Sequence, residues 1–306
     1  MTQFIMLMRR EWMQHRIGWL VVMLAPTVLL LALGLVDGGI QVDVNSESVK
    51  LPPFAQAPAL VQTGFLVLAV TGVTLALALL SLGFQAPGLA WRDQQDRSIE
   101  FWNSLPVGHA KAVSAMLVAQ ALLMPMLAIV VGLAGGLLAS AVAIIATHGP
   151  MAWLGLPWGQ LVLVACLLLL RMAVALVVAM AWLSPLLLLT MAASAWLRRW
   201  GVPVVAALTL AGTLILDKRL AEPLIGPALW RPTSEALHAL LYFDAVRDVQ
   251  VRQVQDVIDL LPGLPQRLLN DLPVMLGSLA SPAFVAALAG GALGFALLVL
   301  RRQRGA

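Results

Sequence analysis

Apolar residues run in long, nearly unbroken blocks along this chain, separated by short polar connections. The blocks fall at about Ile17–Val36, Leu60–Phe84, Ala112–Ala146, Gln160–Leu197, Val202–Leu216 and Pro282–Leu300. Most reach or exceed the ~20 residues an α-helix needs to cross a hydrocarbon core about 30 Å thick. They are too long and too evenly apolar for strands of a membrane barrel, which alternate over ~10-residue segments. Inside lipid the backbone must satisfy its own hydrogen bonds, so the blocks predict helices. The expected fold class is an all-α membrane protein with six transmembrane helices. An N-terminal interfacial helix is expected at residues 1–16, and short amphipathic or re-entrant helices between spans 5 and 6.

The third and fourth blocks are long for single crossings. At 1.5 Å per residue they would extend roughly 50 to 57 Å, so each is either a projecting helix or a hairpin of two. Pro125 and the Ser184-Pro185 pair are the natural kink points. Between spans 5 and 6, Pro223, Pro227 and Pro232, and later Pro262, Pro265 and Pro273, divide the 217–281 segment into short pieces. Within it, Val246, Val249, Val254, Val257, Ile258 and Leu261 form roughly one helical face, with Arg252 and Asp256 at i,i+4 on the other. That pattern predicts an amphipathic helix on the outer surface, serving as a lid or as packing over the bundle.

Composition agrees with the pattern. Of 306 residues, 61% are hydrophobic and 11% charged, against roughly 25% charged in an ordinary soluble domain. Mean hydropathy is +0.92. A soluble fold could not hide this much apolar surface. The N-terminal block is longer than a signal-peptide core, and the nearest A-x-A triplet, Ala55 to Ala57, lies well beyond its end. It therefore predicts a retained anchor.

Charge orients the spans. With both termini cytoplasmic, the inner segments carry eleven Lys and Arg against four acids, and the outer segments seven against eleven. Splitting the fourth block would put Arg198, Arg199, Arg301, Arg302 and Arg304 outside, against the positive-inside rule. The pI near 10.0 thus follows from membrane topology, and no nucleic-acid surface is implied. The tryptophans near the block ends read as interface anchors.

Chemical motifs are sparse. Three lysines are present, Lys50, Lys111 and Lys218, none in a phosphate-cradling G-x-x-x-x-G-K-[ST]. No H-E-x-x-H, G-x-S-x-G or paired membrane aspartates occur. The single cysteine, Cys166, can form neither an intramolecular disulfide nor a multi-thiolate site. The chain is therefore not expected to be an enzyme or to bind ATP itself, and no catalytic or metal-ligating set is expected. Arg171 is the one charged residue inside a span. It either lines a path for an anionic substrate, or snorkels or bonds backbone carbonyls, with Ser184 or an outer acid nearby.

The loop between the second and third blocks, 85–111, carries the most informative stretch. After mixed charge at Trp91 to Gln95 it reads Asp96-Arg97-Ser98-Ile99-Glu100-Phe101-Trp102-Asn103-Ser104-Leu105-Pro106-Val107. This predicts a short helix halted by Pro106. Aromatic residues beside arginine, with few lysines, are the usual make-up of a protein-docking surface. An amphipathic loop resting on lipid headgroups is the alternative.

The run DRSIEFWNSLPVG closely resembles the loop between the second and third spans of ABC-2-type transporter permeases, where Ser-Leu-Pro-Val follows an acidic-Arg-Ser segment. The residue match covers about fifteen positions and the layout match the whole chain, 1–306, as a single transmembrane domain. The resemblance implies that the loop holds the coupling helix, seated in a groove of a separate cytoplasmic ATPase. Asp96, Arg97, Ser98, Glu100, Phe101 and Trp102 would contact that ATPase. Ser104, Leu105 and Pro106 would set the return into span 3, with Arg10 and Glu11 contributing. It further implies ATP and Mg bound by two copies of the partner ATPase, a second permease copy or homologue, and a bacterial inner-membrane location. The expected activity is export of a hydrophobic or amphipathic molecule.

A secondary transporter driven by an ion gradient, or a membrane scaffold or sensor subunit, are the other functions the sequence allows. The first usually needs ionisable sites near the membrane midplane, and the blocks hold no Asp, Glu, Lys or His.

Overall fold

A computed structural model describes residues 2–36, 57–95, 108–216, 225–243 and 254–304. The helices are α1 (Thr2–Val36), α2 (Ala59–Gln95), α3 (His109–His148), the short α4 (Pro150–Leu154), α5 (Trp158–Leu197) and α6 (Gly201–Ala211). They continue as α7 (Ile225–Leu241), α8 (Val254–Leu260), α9 (Leu264–Gly277) and α10 (Pro282–Arg304). No strand occurs among the described residues. Among the described residues, five helical stretches are long and apolar enough to cross a membrane: Gln3–Ala32, Ala59–Leu89, His109–His148, Trp158–Leu197 and Pro282–Arg304. The fifth expected span, Val202–Leu216, falls on a shorter apolar helix, Gly201–Ile215. At 15 residues it reaches about 22 Å, less than a bilayer core. The chain is a multi-pass all-α membrane protein by this measure.

The two long blocks are single helices, and neither is a hairpin. In α3, Pro125 has no N–H for the carbonyl of Ala121 and its ring crowds that turn. The helix accommodates it by widening to π geometry over Val118–Leu123. In α5, Pro185 leaves the Ala181 carbonyl without its backbone donor, and the Ser184 hydroxyl donates to it at 2.8 Å. Local repair keeps both helices whole at 40 residues, or about 60 Å.

Two expectations are corrected. The N-terminal segment is not a separate interfacial helix, because α1 runs unbroken from Thr2 to Val36. Its inner part has no proline, and rings brace it across the expected break. Trp12 meets Trp19 edge-on at 5.5 Å, and His15 stacks on Trp19 at 6.1 Å. Nor do the prolines of the 217–281 segment leave only short pieces, since α7 has 17 residues and α9 has 14. Pro227 and Pro265 sit in first turns, where the backbone N–H is not needed, while Pro232 and Pro273 are carried inside helices. Of the expected amphipathic helix at 244–261, the part from Val254 is described and is helical; residues 244–253 lie outside the described residues.

Packing uses small residues where backbones meet. A side chain at Gly132 would collide with the Thr71 backbone and one at Gly136 with that of Val67, so α2 and α3 touch backbone to backbone. Gly135 faces Thr27 of α1. On α10, Gly291 faces Ser184 and Gly294 faces Leu188, which seats that helix along α5. The largest core cluster joins Leu75 and Leu82 of α2, Ile129 and Leu133 of α3, and Leu176, Ala179 and Trp182 of α5. Ala236 of α7, Met275 of α9 and Ala287 of α10 also belong to it.

Candidate functional site

Two places carry the features singled out in the sequence. The first is the ion-pair hub around Arg171. Arg171 lies thirteen residues into α5, roughly 20 Å from the Trp158 end, and is fully buried. Between Trp158 and Leu197 it is the only charged residue. A bare guanidinium in such surroundings is costly, and two elements, α9 and the C-terminal end of α7, supply its partners. Nε donates to Asp271 Oδ2 of α9 at 2.9 Å. Nη2 donates to the Tyr242 carbonyl at 2.5 Å, and Nη1 reaches the Leu240 carbonyl at 3.4 Å. The Phe243 ring lies 4.0 Å from the guanidinium carbon, within cation–π range.

Local structure explains the arrangement. The last carbonyls of α7 have no partner within their own helix, and its C-terminal end carries partial negative charge, so a cation there is favoured. Asp271 projects from the middle of α9 and is 1% exposed. Its Oδ2 takes the guanidinium, while Oδ1 has no hydrogen-bond partner. One side chain thus ties α5, the end of α7 and α9 together. Nearby, Trp182 Nε1 donates to Ser278 Oγ at 3.3 Å, a second polar tie between α5 and the end of α9. Ser184 is not part of the hub; its hydroxyl is committed to Ala181.

The second place is the pair of helix ends that flank the 96–107 loop. Asp96, Arg97, Ser98, Glu100, Phe101, Trp102, Ser104, Leu105 and Pro106 lie outside the described residues. Their roots do not. Ala86 and Leu89 of α2 and Val113 and Met116 of α3 pack into one cluster with Met191, Ala192 and Ala195 of α5 and Leu298 of α10. The same end is pinned by Arg301 Nε donating to the Ala195 carbonyl at 3.2 Å and Trp196 Nε1 donating to the Leu297 carbonyl at 3.4 Å. Arg301 and Arg304 lie over the Trp196 ring at 5.8 and 5.6 Å. Glu11 on α1 is buried at 4% exposure, which places its carboxylate inside the bundle and off its outer surface.

In the sequence Asp271 is one acid among those of the outer segments, because its partner lies 100 residues away. The carbonyls of Leu240 and Tyr242 and the Phe243 ring have no sequence signature at all. No group of three or more His, Cys, Asp or Glu side chains suited to a metal ion occurs among the described residues. Neither family models, curated proteins nor solved structures give a match to this chain.

Proposed function

We propose that this chain is the membrane-spanning permease subunit of an ATP-driven exporter of the ABC-2 type. The observation that carries the reading is the Asp96–Gly108 run lying in the interval between the end of α2 at Gln95 and the start of α3 at His109. Phe101 and Trp102 would seat in a groove of a separate ATPase, with Asp96, Arg97, Ser98 and Glu100 along its edge. Ser104, Leu105 and Pro106 would turn the chain back into α3. The packed roots of this loop support the reading, since motion delivered to the loop reaches α2, α3, α5 and α10 through one cluster.

On this reading α6 is the short fifth of six spans, both termini face the cytoplasm, and 217–281 faces outward. The Lys and Arg distribution supports that orientation. ATP and Mg would be held by two ATPase subunits. A second permease copy or homologue would complete the pair of bundles in a bacterial inner membrane, and the cargo would be hydrophobic or amphipathic.

One observation favours a second reading. The Arg171–Asp271 pair places an ionisable carboxylate against α5 deep in the bundle, a feature that ion-coupled secondary transporters also use. Reconstitution separates the two. In vesicles holding this chain with its ATPase, cargo movement that requires ATP supports the exporter. Movement driven by a proton or sodium gradient with no ATPase present supports the other.

A further inference from the structure

The ion pair at the centre of the hub is incompletely made. Guanidinium and carboxylate ordinarily meet as two parallel hydrogen bonds. Here a single bond joins Nε to Oδ2, and Oδ1 has no partner although Asp271 is buried. Nη1 is held loosely, 3.4 Å from the Leu240 carbonyl and 3.6 Å from Met172 Sδ. An oxyanion presenting two or three acceptors would satisfy this cation better than Asp271 does.

The surroundings say what kind of oxyanion. Met172, Ala175, Leu240 and Met275 are buried in the same cluster, with Phe243 and Leu272 packed against it. Where α9 gives up its place, these packed side chains would meet an aliphatic tail. Charge balance limits the head group. If α9 withdraws, Arg171 is left as a bare cation among apolar side chains, and Asp271 carries its own charge to water. Only an anion taking Asp271's place keeps the buried charge neutral. A zwitterion or a cation cannot.

The geometry points to Arg171 as the receptor for the anionic head of an amphipathic cargo, with Asp271 as a built-in competitor that keeps the site closed when empty. The head is of the phosphate or carboxylate class on an aliphatic chain. This rests on the exporter reading for the statement that the bound molecule is cargo; the site itself does not depend on it. Affinity for such a ligand is lowered by the fraction of time Asp271 occupies the guanidinium, so weakening Asp271 strengthens binding.

The test uses the full chain purified in dodecyl maltoside without any ATPase, titrated with dodecyl phosphate, dodecylphosphocholine or inorganic phosphate. Binding is followed by calorimetry and by thermal shift. The wild-type chain binds dodecyl phosphate and not the phosphocholine. Asp271→Asn, which keeps shape and an acceptor oxygen, binds dodecyl phosphate about tenfold more tightly. The Arg171→Gln/Asp271→Asn pair, which leaves no uncompensated charge, loses the preference. Equal binding of dodecyl phosphate by wild type and the double variant overturns the inference, as does weaker binding by folded Asp271→Asn. Inorganic phosphate binding as tightly as dodecyl phosphate overturns the amphipathic part. Should Asp271→Asn fail to fold, wild type against the double variant decides. A chain that binds the anion yet captures no ATPase refutes only the exporter reading; the converse refutes only this site.

Discussion

A Cβ built on Gly136 would lie 2.6 Å from the Cα of Val67, so at this point α2 and α3 meet with no room for a side chain between them. Gly132, one turn earlier, stands in the same relation to Thr71, at 2.8 Å. In lipid, where apolar surface alone gives helices little reason to associate, such close approach is what holds them. Gly136→Ala must push the backbones apart and is expected to cost on the order of 1–3 kcal/mol, as overpacking does. Gly72→Ala, where a Cβ meets nothing within 4 Å, should change stability by no more than about 1 kcal/mol, in the stabilising direction. Thermal unfolding of the two variants in the same detergent checks the contrast.

The Arg171–Asp271 pair has an asymmetric prediction of its own. Arg171→Met strands a buried carboxylate and is expected to destabilise by about 3–5 kcal/mol. Adding Asp271→Leu should recover most of that, since an apolar pair fills the space without a desolvated charge. A double-mutant cycle read by chemical unfolding gives the coupling directly. Additive losses would mean that the two charges do not depend on each other.

Gln120 makes the opposite case. It lies in the π-widened stretch of α3 at 1% exposure, and neither its amide nitrogen nor its oxygen has a partner. Buried polar groups left unpaired cost roughly 1–3 kcal/mol by mutational measures. Gln120→Leu is therefore expected to raise the unfolding midpoint, and a lowered one would show that the amide is engaged.

What was legible in the sequence follows from what is local. Runs of apolar residues mark α3, α5 and α10 to within a few positions, because burial in lipid asks only for length and hydropathy, but they miss the polar beginning of α1 and the polar end of α2. Continuity of α3 and α5 was harder to read, since Pro125 and Pro185 are breakers whose repair, a widened turn and the Ser184 hydroxyl, depends on the helix around them. The joining of residues 1–16 to the first span is similar: a basic, aromatic flank looks separate until Trp12, His15 and Trp19 are seen on one face. Gly132, Gly135 and Gly136, and Gly290, Gly291 and Gly294, mark both main helix contacts only once the fold shows what they face. The hub is the least legible part. Arg171 was conspicuous as the lone charge in a span, but nothing in the 217–281 segment distinguishes Asp271 from its ten fellow outer acids. Only the fold brings α9 against α5.

Docking of an ATPase on the loop between α2 and α3 is tested by capture of that ATPase. The chain is co-expressed with candidate ABC ATPase subunits from the same genome, purified through a tag on the permease, and assayed for ATP hydrolysis, alongside a Phe101→Ala/Trp102→Ala variant. The wild-type chain is expected to form a stable, hydrolytically active complex, and a variant that still folds and inserts is expected to lose the ATPase. A wild-type chain that retains no ATPase, or a double variant that retains it undiminished, would rule out docking on this loop.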